Sequence, residues 1–177
     1  KMMLDSLAIE TADGLRLRAM FTGGEAVPYE RAAQFEDRVG ARVLQFYGSN
    51  ESGAISATTL RDTREHRLGT AGRVYPHMGL RLFDSEGRDI TDTGGPGIPG
   101  VLGPTLCMGY YGDAGANAEL FHDGRLMMPD LVTVDADGYL RVVGRTSDLI
   151  IRGGKNISAV EVEELVESHP SVLMASA

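Results

Sequence analysis

Leu15, Leu17 and Ala19 alternate with Arg16, Arg18 and Met20. A period of two predicts a strand with one buried face, which runs on into Phe21-Thr22-Gly23-Gly24. Pro28 comes next, at a place where its fixed φ and missing N–H cost little, so it opens a helix. That helix runs through Arg31, Phe35 and Val39 and stops at Gly40. Arg42 to Tyr47 reads as a second strand, ending at Gly48-Ser49-Asn50-Glu51. Strand, glycine loop, helix and strand in that order make an α/β unit. Ligands in open α/β sheets sit at the loops on the carboxyl ends of the strands.

Past Gly72 the pattern shortens, and turn residues divide short strand-like runs. Asp84-Ser85-Glu86-Gly87 predicts one hairpin, and Gly94-Gly95-Pro96-Gly97-Ile98-Pro99-Gly100 a loop. Asp135-Ala136-Asp137-Gly138 predicts a second hairpin, between Leu131–Val134 and Tyr139–Val143. The texture is that of a small antiparallel β subdomain. A third unit begins near Ser147 with a turn, an apolar strand and the Gly153-Gly154 loop. Ser158 with Glu161 three residues on is a capping box, opening a helix over 159–168. Ser171 to Ala177 reads as an apolar strand cut off mid-run.

Composition changes this picture little. The 177 residues are 42% apolar and 24% charged, as in ordinary globular domains, with a net charge of -8. No Lys/Arg stripe offers a nucleic-acid footprint. The single cysteine, Cys107, excludes an internal disulfide framework and fits a reducing compartment. No apolar run reaches the length of a membrane span. The expected location is the cytoplasm, with peripheral attachment to a membrane left open.

Four segments carry candidate chemistry. In Tyr47-Gly48-Ser49-Asn50-Glu51-Ser52-Gly53 an aromatic ring at a strand end can stack on a base. The small residues admit a ligand close to backbone, and Glu51 can hold Mg²⁺, a hard cation that prefers oxygen. By itself the loop equally fits a strand-to-helix turn with a solvated Glu. Gly23-Gly24-Glu25-Ala26 can lie against a purine edge, and alone it is more simply a strand-to-helix turn. The Asp130 carboxylate has two oxygens and can accept two hydrogen bonds at once. Arg145 can offer a planar fork of donors to ribose and phosphate oxygens. The four histidines show no metal-ligand spacing, and Cys107 has no histidine placed to activate it.

These segments, with Gly144-Arg145-Thr146-Ser147-Asp148 and the Ile150-Ile151-Arg152-Gly153-Gly154-Lys155 stretch, resemble the adenylate-forming ligases. That superfamily holds acyl-CoA synthetases, peptide-synthetase adenylation domains and luciferases. The resemblance runs from about Leu15 to the chain end, with the motifs in family order. It implies an α/β architecture: the end of a large N-terminal α/β domain (1–72), a small antiparallel β subdomain (73–146) and the start of a C-terminal α+β domain (147–177).

The resemblance also implies the ligands, which are ATP, Mg²⁺ and CoA together with a fatty, aromatic or alicyclic carboxylic acid. Nucleotide contacts fall to Gly24, Glu25, Ala26, Tyr47, Gly48, Ser49, Asn50, Asp130 and Arg145, the metal to Glu51, the hinge to Ser147 and the thiol channel to Gly153 and Gly154. Three positions depart from the family pattern. Asn50 stands for the usual Thr, Met128-Pro129 for the Thr-Gly before Asp130, and Ser147 for a charged hinge residue. The family's phosphate loop and catalytic Lys fall outside the 177 residues, which are expected to make no acyl-CoA by themselves. Two alternatives stay open: an adenylation domain that loads a carrier protein, and a nucleotide-binding protein without catalysis.

Overall fold

A computed structural model describes residues 16–25, 27–147, 149–152, 155–167, 169, 171–172 and 174–176. Strand β1 (Ala19–Thr22) pairs in parallel with β2 (Arg42–Ser49), Ala19 opposite Arg42, and helix α1 (Tyr29–Val39) makes the crossover. The expected strand therefore begins at Ala19: Arg16 to Arg18 are exposed and lie outside the β1–β2 register, although the Arg18 carbonyl accepts from Arg42 N–H at 3.1 Å. Pro28 precedes the helix, and its carbonyl accepts from the N–H groups of Arg31 and Ala32. Gly40 ends the helix at φ +74°, where a side chain would be strained, and its N–H returns to the Glu36 carbonyl. Ala32 and Phe35 face the sheet and pack with Ala41, Val43 and Leu68 in a small core.

The chain does not leave β2 through the expected strand-to-helix turn. β3 (Gly53–Ala57) folds straight back antiparallel to β2, with a register shift between Tyr47 and Gly48. A Cβ on Gly48 would lie 2.0 Å from the Gly53 carbonyl, so the crossing admits only glycine there. Thr63 then caps the short helix α2 (Arg64–Gly69), and β4 (Arg73–Val74) pairs with β3. The first sheet has the order β1-β2-β3-β4. The alternation that identified β1 gives no signal for α2, whose few residues show little periodicity.

The second sheet is antiparallel in the order β5-β6-β8-β7, from Gly79–Phe83, Ile98–Leu102, Arg125–Met127 and Phe121–His122, with helix α3 (Ala114–Leu120) before β7. The Asp84–Gly87 turn does form, but it returns the chain only for a single bridge between Phe83 and Asp89. The true partner of β5 is β6, so Ile98 to Gly100 belong to a strand and not to the expected loop. The second hairpin is as expected: β9 (Asp130–Val134) and β10 (Leu140–Arg145) join through Asp135–Gly138. Tyr47 and Ile55 of the first sheet share one core with Leu82, Val101, Leu126, Val132 and Leu140, so the change of texture at Gly72 lies within a common core.

Strands β11 (Leu149–Arg152) and β12 (Lys155–Ser158) form a hairpin that leads into α4 (Ala159–Glu167). Gly153 and Gly154 lie outside the described residues, as do the side chains of the Ser158–Glu161 capping box. Of the apolar strand expected at 171–177, the described residues form none. Among the described residues no helix is long and apolar enough to cross a membrane.

Candidate functional site

Parallel pairing of β1 and β2 puts both carboxyl ends at one edge of the first sheet. The Gly23–Glu25 loop leaves that edge after β1, and the Ser49–Ser52 turn leaves it after β2. Gly24 and Glu25 are exposed, and Gly24 adopts φ +81°. Gly23 lies on the face of the Phe46 ring, where an added Cβ would come within 2.6 Å of ring atoms. Ala26 lies outside the described residues.

The turn itself is closed by two serines. Ser49 Oγ accepts from the N–H groups of Glu51 and Ser52 at 3.2 Å, and Ser52 Oγ accepts from Ser49 N–H at 2.9 Å. Thr105 and Cys107 brace it from outside, donating to the carbonyls of Ser52 and Glu51 at 2.8 and 2.7 Å. Ser49 is therefore half-buried and occupied within the turn, while Asn50 is exposed at its tip. Glu51 projects beside Tyr110, whose hydroxyl donates to Oε1 at 2.8 Å. That bond above all, with the Ser49 hydroxyl and its own N–H, holds the Glu51 carboxyl below its usual range. It is an anion at any pH near neutral.

Tyr47 is not the open ring expected at a strand end. Burial leaves it 8% exposed, packed with Ile55 and Met78, and its hydroxyl donates to Asp130 Oδ2 at 2.7 Å. Asp130 opens β9 and pairs across the ladder with Arg145, the last residue of β10. Arg145 Nε lies 3.6 Å from Asp130 Oδ1 and stays largely exposed. Burial, followed by the Asp130 charge and hydrogen bond, pushes the Tyr47 hydroxyl far above its usual range, so it remains a donor. The buried Asp130 carboxylate thus has one neutral donor and one cation beside it. Its departure from the family pattern leaves this arrangement intact: Met128 is buried in the core, and the Pro129 carbonyl accepts from both N–H and hydroxyl of Thr146 at 2.9 and 3.0 Å.

A cleft of about 480 Å³ opens beside the Glu51 turn, lined by Ser49, Glu51, Tyr110, Met127, Met128 and Pro129 among others. A larger hollow of about 560 Å³ lies by Arg73, Tyr75, Pro76 and Asp135 and holds none of the expected residues, so chemistry and not size selects the first. The structure brings together Tyr47, Asp130 and Arg145, and Ser49 with Glu51. It leaves Gly24 and Glu25 on their own loop and Ser147 exposed in the turn after β10. Among the described residues no three His, Cys, Asp or Glu side chains cluster to hold a metal. A lone carboxylate suits Mg²⁺, which keeps most of its waters and shares phosphate oxygens with one or two protein ligands. Sequence reasoning missed Tyr110, which lies 59 positions from Glu51 and meets it only through the fold.

Known proteins carry the same segments. A family model described as AMP-binding enzyme matches residues 1–111. Indoleacetate–CoA ligase of Aromatoleum aromaticum is 35% identical over 97% of this chain and 33% of its own length. Pyochelin synthase PchD of Pseudomonas aeruginosa is 40% identical over 96% of the chain and 31% of its own length. Among solved structures, o-succinylbenzoate coenzyme A synthetase of Bacillus subtilis, in complex with ATP and magnesium ion, superposes with a TM-score of 0.82. It is 31% identical, and the match covers 99% of this chain and 37% of that one. The chain spans about a third of the length of the curated relatives it matches. With a family match over well more than half of its residues, this chain belongs to the AMP-binding enzyme family.

Proposed function

We propose that the whole protein is an AMP-forming acid–thiol ligase, and that this chain supplies its nucleotide floor, its Mg²⁺ carboxylate and its hinge. The observation that carries the reading is a buried Asp130, held by the Tyr47 hydroxyl and paired with Arg145. Asp130 accepts from the ribose hydroxyls, and Arg145 donates to ribose or phosphate oxygens. The Gly24-Glu25-Ala26 loop meets the purine edge, and Gly48, Ser49 and Asn50 bring backbone and side-chain donors to the phosphates. Tyr47 contributes what remains open of its ring and holds Asp130 in place. Glu51 would hold Mg²⁺, which would supply charge neutralisation for phosphate oxygens.

In the first half-reaction a carboxylate oxygen bonds to the α-phosphorus of ATP, and the bond to pyrophosphate breaks. In the second a thiol sulfur bonds to the acyl carbon and AMP leaves, with the thiol proton passing to solvent. The chain's contribution to both is positioning and charge. Ser147 is the pivot between the two, and Gly153-Gly154 line the channel for CoA. The acid is fatty, aromatic or alicyclic, and the location is the cytoplasm.

The test is pyrophosphate exchange in a family-length protein that carries this chain. Asp130→Ala and Arg145→Ala each remove a charge-assisted contact, and each lowers exchange roughly ten- to a hundred-fold. Wild-type exchange in both variants would falsify the assignment. A carrier-protein thiol in place of CoA is the second reading, since pyochelin synthase PchD, a relative not named as a CoA ligase, also matches at 40% identity. AMP release with CoA and with a phosphopantetheinyl carrier, measured side by side, separates the two.

A further inference from the structure

The segment from Cys107 to Tyr110 reaches Glu51 twice, once at the backbone and once at the carboxylate. Cys107 N–H donates to the Glu51 carbonyl at 2.7 Å, and the Tyr110 hydroxyl donates to Oε1 at 2.8 Å. Tyr110 is itself clamped. The Asn117 side-chain amide accepts from Tyr110 N–H at 2.6 Å and donates to the Tyr110 carbonyl at 2.9 Å, pairing both backbone groups of one residue. Asn117 sits on α3, whose first turn Asp113 caps by accepting from Ala116 N–H at 2.9 Å. Gly109 makes the clamp feasible. It takes φ +125°, and a Cβ there would lie 2.7 Å from Asn117 Oδ1. A capped helix, an amide clamp and a glycine thus converge on one hydroxyl aimed at one carboxylate.

We propose that Tyr110 is a positioning residue for Glu51: its hydroxyl fixes the carboxylate in one rotation, so that Oε2 meets a divalent cation carried by the nucleotide. This rests on the reading of Glu51 as the metal carboxylate. The physical ground is side-chain entropy. A half-buried Glu on a turn samples several rotamers, and a metal must freeze one of them. A hydrogen bond made during folding removes that cost from the binding step. The ring needs no contact with nucleotide or acid for this role.

The experiment uses Mn²⁺ as the probe, titrated by electron paramagnetic resonance into a family-length protein with a non-hydrolysable ATP analogue. Tyr110→Phe removes one oxygen and keeps the ring. It weakens Mn²⁺ roughly three- to ten-fold, with an unchanged melting temperature for the metal-free protein. Asn117→Ala keeps the hydroxyl and frees its backbone, and it weakens Mn²⁺ by a smaller factor. Pyrophosphate exchange by Tyr110→Phe keeps most of its rate at saturating Mg²⁺, while the half-saturating Mg²⁺ concentration rises. Wild-type Mn²⁺ affinity in Tyr110→Phe, with a loss in Glu51→Gln, overturns the role of Tyr110 and leaves Glu51 a ligand. Wild-type affinity in Glu51→Gln as well sinks the reading of Glu51 and the inference together. Loss of affinity matched by a lowered metal-free melting temperature in both Tyr110→Phe and Asn117→Ala makes the segment merely structural and also overturns it.

Discussion

Tyr47 packs its ring against Ile55 and Met78 and turns its hydroxyl to Asp130. The two contacts have different physical bases. The ring removes apolar surface from water, and the hydroxyl meets a buried carboxylate that would otherwise be short of donors. Burial and the Asp130 charge push the hydroxyl far above its usual range, so it stays protonated and donates at neutral pH. Tyr47→Phe keeps the ring and leaves Asp130 with Arg145 alone. Denaturant melts of the variant show a loss of about 1–3 kcal/mol. In a family-length protein the KM for ATP in pyrophosphate exchange rises several-fold, since a loosened Asp130 holds ribose less well. Equal stability and equal KM would show that the hydroxyl is incidental.

Helices α1 and α2 are joined by ion pairs from Arg64 to Glu36 and Asp37 and from Arg67 to Glu36, the last the most buried. Arg67 Nη2 donates to both oxygens of Glu36 at 2.8 and 2.9 Å, and both side chains are nearly buried, at 6% and 10% exposure. Glu36 also accepts from Val43 N–H at 2.8 Å, so the same carboxylate ties the helix to β2. Breaking a buried pair from one side costs about 3–5 kcal/mol, because the remaining charge has lost its compensation. Arg67→Ala falls at the lower end of that range, since Arg64 Nε stays within 3.3 Å of Glu36. Urea melts of Arg67→Ala measure it, and a Glu36→Leu, Arg67→Met double variant loses less than the two single changes added together. A loss under about 1 kcal/mol in Arg67→Ala would mean that solvent reaches the pair. The element matters to function because β2 ends at the Glu51 turn.

At the scale of the molecule, the β9–β10 hairpin stops where the third unit begins. Thr146 is fastened to the Pro129 carbonyl through two hydrogen bonds, so the pivot proposed at Ser147 lies just past a residue held to β9–β10. Ser147→Pro fixes φ near about -65° and deletes an N–H, which freezes one hinge setting. In a family-length protein pyrophosphate exchange survives, and CoA-dependent AMP release falls roughly ten-fold or more relative to it. Equal losses would indicate misfolding, and no loss would move the pivot to another residue.

Sequence alone determined the parts of this protein that are written locally. The β1–α1–β2 unit arises from alternation, from Pro28 and from Gly40, because backbone sterics and amphipathic period act over a few residues. The β9–β10 hairpin arises from its Asp-Gly turn. Asp130, Arg145 and Glu51 were candidates in the sequence, from the family resemblance and from what a carboxylate or guanidinium can bind wherever it stands. Tertiary structure decided the rest. The return of β3 onto β2, the pairing of β5 with β6 and the withdrawal of Tyr47 into a shared core depend on partners far along the chain, and loop length or periodicity does not encode those partners. The same holds for Tyr110 and Asn117, whose meaning arises only when α3 and the Glu51 turn are brought together. Residue types state what each group can do, but only packing fixes which groups meet.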